Sequence, residues 1–189
     1  MDKCFKVPKV DDKSYVDSLL AICRAEKVDL LVPLFEPEFS LLDTKRHEFN
    51  KLNTLLLLSS SQVLEPCRDK LQTYGFFSSH GIKTPKTWNP TDLPADIAFP
   101  VFVKPRIGMG SRGSQRIDMF RQLEVVLQQK ADLLVQEFIP GKEYTLDILA
   151  DLEGQVLSVV PRERLEVRAG EVSKSRTVYR RDLIEQGKN

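Results

Sequence analysis

The chain has 189 residues, of which 41% are hydrophobic and 29% charged, and its net charge is +1. That balance supports a packed core and excludes an intrinsically disordered chain. The near-neutral charge gives no global attraction to nucleic acid or to an acidic membrane, and the longest apolar runs, around Leu30–Phe35 and Leu55–Leu58, have the length of strands rather than of membrane spans.

Residues 14–26 read as an amphipathic helix. Ser14 and Asp17 have capping-box spacing, and Tyr15, Val16, Leu19, Leu20, Ile22 and Cys23 form one apolar stripe. Asp29–Phe35 reads as a buried strand that ends at Glu36-Pro37. Helical spacing returns over 38–51, and Thr54–Leu58 is a second buried strand. This alternation predicts a parallel sheet flanked by helices. A doubly wound domain usually opens with a strand and turn that are absent here, so the chain is expected to start inside a domain. Residues 68–80 read as a further helix, closed by Gly81 as a C-terminal cap.

The texture then changes. Thr84–Pro90 is proline-punctuated and extended, and Pro100–Lys104 is a β-rich run. The loop 105–114 is rich in glycine and arginine, Asp118–Lys130 is helical, and Leu133–Phe138 is a strand. Tyr144–Ala150 and Gln155–Arg164 pair as a hairpin around 151–154. Residues 165–178 suggest another hairpin, and 180–187 begin a helix. The fold class is therefore α/β, becoming α+β in the second half. Cys4, Cys23 and Cys67 are odd in number and widely spaced, which points to reduced thiols and a cytoplasmic protein. His47 and His80 are far apart and offer no zinc pair.

Gly108-Met109-Gly110-Ser111-Arg112-Gly113 matches G-x-G-x-x-G, a weak signal by itself. A Rossmann loop would follow its strand directly and open a helix, whereas here Lys104-Pro105-Arg106-Ile107 intervenes and the helix starts near Asp118. A protein kinase would place the glycine loop before its lysine strand. A phosphate lid fits the order better: glycines admit backbone N–H groups to phosphate oxygens, and Lys104, Arg106 and Arg112 add positive charge. An ordinary solvated turn is the alternative.

The order of motifs is more specific than any one of them. Val101-Phe102-Val103-Lys104-Pro105 is followed by the glycine loop and, one helix later, by Leu134-Val135-Gln136-Glu137-Phe138-Ile139-Pro140-Gly141-Lys142-Glu143-Tyr144. This order resembles the ATP-grasp superfamily, in its carbamoyl-phosphate-synthetase-like (large-subunit-like) branch. Asp69-Lys70 with Gly81–Thr87 resembles that branch too, and Val7–Asp12 with Asp29–Leu34 resembles its pre-ATP-grasp, Rossmann-like domain. The resemblance implies a partial pre-ATP-grasp domain over 1–67, a connecting helix over 68–83, a small lid subdomain over 84–138 and the start of a larger subdomain over 139–189.

It also implies site roles. Lys70 and Lys104 would contact ATP phosphates, and Gly108, Met109, Gly110, Ser111 and Gly113 would fold over them. Gln136, Glu137, Phe138 and Ile139 would form the strand edge and hinge that meet adenine through backbone groups, with Glu137 on the exocyclic amine side. Glu143 would bind the ribose hydroxyls. No catalytic residue is assigned. Arg162 and Arg164 are candidates for reaching substrate or phosphate, and a surface ion-pair ladder explains them equally well. The implied parent activity is that of an ATP-dependent carboxylate–amine ligase acting through an acyl phosphate, with ATP and an unidentified carboxylate as partners, no nucleic acid and no membrane. Magnesium is expected for the full-length parent. The family's Glu-x-Asn metal pattern is absent, so no metal ligand is expected in this chain, which is expected to be a fragment that binds nucleotide but does not turn over alone. A non-catalytic nucleotide-binding or interaction module of degenerate fold is the rival reading, and homo-oligomerisation through unfinished sheet edges is a further option.

Overall fold

The first helix, α1 (Tyr15–Glu26), buries Tyr15 and Cys23, as its apolar stripe requires. Its start differs from expectation. The Ser14–Asp17 box does not form, because the Ser14 backbone N–H and hydroxyl both turn back to Asp12 Oδ1, at 2.8 and 2.7 Å. This is a computed structural model, and it describes residues 3–168 and 171–188. The chain divides into two compact units, Met1–Phe76 and Phe77–Asn189.

In the first unit, β1 (Leu30–Leu31) and β2 (Leu55–Leu56) pair in parallel, Leu30 beside Leu55 and Leu31 beside Leu56. The parallel pairing matches the sequence reading, but both strands are shorter than their apolar runs. Glu38 explains the early end of β1: its Oε1 accepts the N–H groups of Leu34 and Phe35, at 3.2 and 3.1 Å, and bends the chain into a 3₁₀ turn, Glu36–Glu38. The Tyr15 hydroxyl donates to the other Glu38 oxygen. The single helix expected over 38–51 is two, α2 (Phe39–Thr44) and α3 (Arg46–Lys51), separated by Lys45. Beyond the break, the Arg46 guanidinium donates to the carbonyls of Leu58 and Ser59, at 3.1 and 2.7 Å, which ties α3 to the end of β2. Cys23, Leu42, Phe49 and Leu56 form the core.

A helix that the sequence reading missed, α4 (Ser61–Arg68), precedes α5 (Lys70–Ser79). Between them Asp69 is extended and caps α5, its Oδ1 accepting the Leu71 N–H at 2.9 Å. Gly81 takes φ +68 as expected, with Ile82 N–H bonded to the Phe77 carbonyl at 2.9 Å.

The second unit holds a four-stranded antiparallel sheet in the order β3-β6-β4-β5, formed by β3 (Thr87–Trp88), β4 (Val101–Pro105), β5 (Gln115–Ile117) and β6 (Leu133–Glu137). Alternation along the strands sends Val101, Val103, Ile117, Leu133 and Val135 to one face, where they pack with Leu123 of α6 (Phe120–Gln129). A second antiparallel sheet orders β7 (Tyr144–Ala150), β8 (Val156–Arg168) and β9 (Glu171–Thr177), so one long β8 serves both expected hairpins. The turn of the second hairpin, at 169–170, lies outside the described residues. The last helix, α7 (Arg181–Lys188), brings Gly187 close to Ile148 and Val159. Among the described residues no helix is long and apolar enough to cross a membrane.

Candidate functional site

Register decides which candidate side chains can meet. Thr87, Gln136, Phe102 and Arg116 are successive cross-strand neighbours and share one face of the first sheet. Lys104, paired with Leu134, lies on the same face, diagonal to Gln136. The opposite face carries Val101, Val103 and Val135 and packs into the core. Lys104 and Gln136 are half-buried, and the Lys104 ammonium donates to Gln136 Oε1 at 2.8 Å. Gln136 Nε2 donates to the Thr87 hydroxyl at 2.8 Å, and that hydroxyl donates to the Pro85 carbonyl at 3.0 Å. Thr87 was missed in the sequence reading, although it stands in the extended segment that became β3.

Glu137 alternates to the core side of the sheet, in register with Val101 and Ile117 at the end of the strands. Its carboxylate accepts the Lys86 N–H at 3.2 Å, and its own N–H donates to the Lys86 carbonyl at 2.8 Å. The expected strand edge is corrected here: β6 lies inside the sheet, between β3 and β4, because the short β3 covers its outer side. The chain leaves the sheet only after Glu137, through Phe138, Ile139 and Pro140. Ile139 is exposed, and the Arg116 guanidinium lies over the Phe138 ring, 4.7 Å from its centre.

The glycine loop joins β4 to β5, which are antiparallel neighbours. It is therefore the turn of a hairpin and not a strand-to-helix turn, which rules out the Rossmann geometry. Gly110, Ser111 and Gly113 take φ of +64, +53 and +76, and the Ser114 N–H closes back on the Ser111 carbonyl at 3.1 Å. A Cβ on Gly113 would lie 3.2 Å from Pro105 Cγ, so the loop packs back on the end of its own strand. Gly108 and Met109 are exposed beside it.

Lys70 belongs to the first unit, at the start of α5. Burial lowers its ammonium below the ordinary lysine range, while the charges of Glu36 and Asp69 oppose that shift.

In the second sheet the charged candidates sit in ion pairs. Arg162 grips Asp147 with two donors, one bond measuring 2.9 Å, and its Nη1 donates to Ser175 at 3.3 Å. The hydrogen bond from Arg162 holds the Asp147 carboxyl below the usual range. Exposed Glu143 lies 3.6 Å from Arg164, and the Arg164 N–H donates to the Glu143 carbonyl at 2.9 Å. One residue before Arg164, buried Glu163 receives Lys142 at 2.8 Å and Arg176 at 2.6 Å. Among the described residues no three or more His, Cys, Asp or Glu side chains converge as metal ligands.

This arrangement of strands, glycine hairpin and charged sheet defines an ATP-grasp architecture. Residues 67–189 match the ATP-grasp domain model, and residues 1–57 match that of the PylC-like N-terminal domain. The chain belongs to the ATP-grasp family.

Its curated relatives include the vancomycin/teicoplanin A-type resistance protein VanA of Enterococcus faecium, 30% identical over 108 residues, or 53% of this chain and 32% of that protein. The arginine-specific carbamoyl phosphate synthase large chain of Bacillus subtilis is 24% identical over 164 residues, 82% of this chain and 16% of that one. A D-alanine–D-alanine ligase of Fusobacterium nucleatum is 30% identical over 94 residues, covering 50% of this chain and 32% of its own. The chain thus spans a third or less of these relatives. Among solved structures, the L-amino acid ligase of Bacillus licheniformis aligns over 96% of this chain and 45% of its own, with a TM-score of 0.66 and 21% identity. Pyruvate carboxylase of Rhizobium etli aligns over 98% and 18%, with a TM-score of 0.69 and 15% identity. These two likenesses are of fold. The resemblance to the carbamoyl-phosphate-synthetase-like branch of ATP-grasp proteins is borne out.

Proposed function

We propose that this chain supplies the ATP-binding part of an ATP-dependent carboxylate–amine ligase. The observation that carries the reading is the Lys104–Gln136 contact, on one sheet face, at the strand end from which the glycine hairpin departs. Lys104 would hold a phosphate oxygen through its point charge, and the glycine loop at Gly110–Gly113 would bring N–H donors over the same phosphates. Adenine would lie against Phe138 and Ile139, where the chain leaves the sheet, and Glu143 would accept the ribose hydroxyls. In the parent reaction a carboxylate oxygen attacks the γ-phosphorus and releases ADP. The amine then attacks the acyl carbon and phosphate leaves. Lys104 would stabilise negative charge on the phosphates during the first step. The carbamoyl phosphate synthase and D-alanine–D-alanine ligase relatives support this class of chemistry.

The test is a calorimetric titration with ATP and a non-hydrolysable analogue. Saturable binding that weakens in both Lys104→Ala and Glu143→Ala is expected. Binding that neither substitution changes would overturn the assignment.

A further inference from the structure

Resting on the nucleotide-binding reading of β4 and β6, we infer that Thr87 is a positioning residue for Lys104, acting through the carboxamide of Gln136. A glutamine side chain has two nearly isosteric ends, one a donor and the other an acceptor, and the donor-only ammonium of a lysine is met by the acceptor end. Thr87 holds the amide to the same orientation from its other end. Thr87 is buried, and its hydroxyl hydrogen goes to the Pro85 carbonyl at 3.0 Å. Its oxygen then faces Gln136 as an acceptor and takes the Nε2 donor at 2.8 Å. That leaves Oε1 as the end facing Lys104, which it meets at 2.8 Å. Turning the amide over would set NH₂ against the ammonium. It would also pull the Thr87 hydroxyl off Pro85 to serve the displaced oxygen. Two hydrogen bonds would be lost, so the chain Pro85–Thr87–Gln136 holds one orientation. The strands make the relay rigid, since Thr87 and Gln136 are direct cross-strand neighbours.

The consequence is that the lysine is aimed by a neutral amide whose direction is fixed two side chains away. A glutamate in place of Gln136 would need no such fixing, because its two oxygens are equivalent. This gives the test a logic that a merely structural role for Thr87 would not follow. The side-chain Cε–H resonances of Lys104 are followed by NMR in the nucleotide-free chain, and ATP affinity is measured separately by calorimetry.

Thr87→Val is expected to shift the Lys104 resonances and to weaken ATP roughly fivefold to tenfold, the scale of one hydrogen bond. Thr87→Ser is expected to restore both. In the Thr87→Val background Gln136→Glu is expected to return the Lys104 resonances toward their original positions. In a Gln136→Ala background Thr87→Val is expected to change nothing further. Thr87→Ala carries the same expectations if the valine variant does not fold. Lys104 resonances that ignore Thr87→Val, or effects of Thr87→Val and Gln136→Ala that simply add, would overturn the relay. If the resonances respond as described but no variant binds ATP, the relay stands and the nucleotide reading fails. If ATP binds through Lys104 while the resonances ignore Thr87, the relay fails alone.

Discussion

The ammonium of Lys104 and the carboxamide of Gln136 meet at 2.8 Å across two antiparallel strands. Lys104 sits near the end of β4, just before the glycine hairpin, which is where the proposed function would put a nucleotide's phosphates. Lys104→Ala is expected to weaken ATP binding about 10-fold to 100-fold, the worth of one or two charge-assisted hydrogen bonds. Lys104→Arg is expected to restore only part of that loss, because a planar fork does not replace a compact ammonium held by an amide oxygen. Calorimetry with ATP measures both, and a thermal melt of each variant shows that the fold is retained.

In the first unit, Tyr15 and Glu38 form a buried pair that the sequence pattern did not reveal. Burial, reinforced by the hydrogen bond and charge of Glu38, pushes the Tyr15 phenol from the usual 10.0 up to about 12. A raised value means that the fold favours the protonated phenol. The resulting stability is fully present below pH 10 and is lost as the pH rises through about 12. Tyr15→Phe is expected to cost about 1–3 kcal/mol at neutral pH, because Glu38 is left buried without that donor. It is also expected to flatten the alkaline fall in stability. Denaturant unfolding at pH 8, 10 and 11.5 checks both, and a spectrophotometric titration of the variant should lose the tyrosine that ionises at about pH 12.

Much of this could be read in the chain, for identifiable reasons. The runs Val101–Val103 and Leu133–Val135 alternate apolar residues onto a core face, and the same period sends Lys104 and Gln136 to the other. The hairpin of β7 and β8 was visible because strand residues flank a clear turn. The missed features depend on partners remote in sequence. Glu38 stops β1 with hydrogen bonds to Leu34 and Phe35, which an apolar count over Asp29–Phe35 cannot register. Asp69 splits a helical stretch by capping the second half. β5 exposes Gln115 and Arg116 and buries only Ile117, so it looks like loop until β4 lies beside it. Arg162 and Arg164 carry charge that suits substrate, and only the register of β7 and β8 shows Asp147 and Glu143 next to them.

Glu163 sits between Lys142 and Arg176, and hydrogen bonds from these two, Lys142 first, hold its carboxyl below the usual range. A lowered value contributes stability that is present above the unfolded pKa and lost as the pH falls through the folded one. Glu163→Gln keeps the shape and removes the charge. Its urea midpoint is expected to fall at pH 7 and to move toward the parent's at pH 3. A midpoint difference that is the same at both pH values would mean that packing, not charge, is what Glu163 provides.

Gly187 marks where α7 approaches the second sheet. A Cβ there would stand 2.7 Å from Val159 Cγ1 and 3.4 Å from Ile148 Cδ1. Two effects oppose each other in Gly187→Ala. Alanine favours the helix by about 1 kcal/mol over glycine. Forcing a methyl group against a β-branched strand residue, which has little freedom to turn aside, costs about 1–3 kcal/mol. The clash is the larger effect, so Gly187→Ala is expected to lower stability despite the better helix former. Val159→Ala in the same chain removes the obstructing methyl and is expected to cancel part of the loss, giving a non-additive pair in a double-mutant cycle. If Gly187→Ala alone raises the unfolding midpoint, α7 does not rest on Val159 in solution, and helix propensity is then the only force acting at that position.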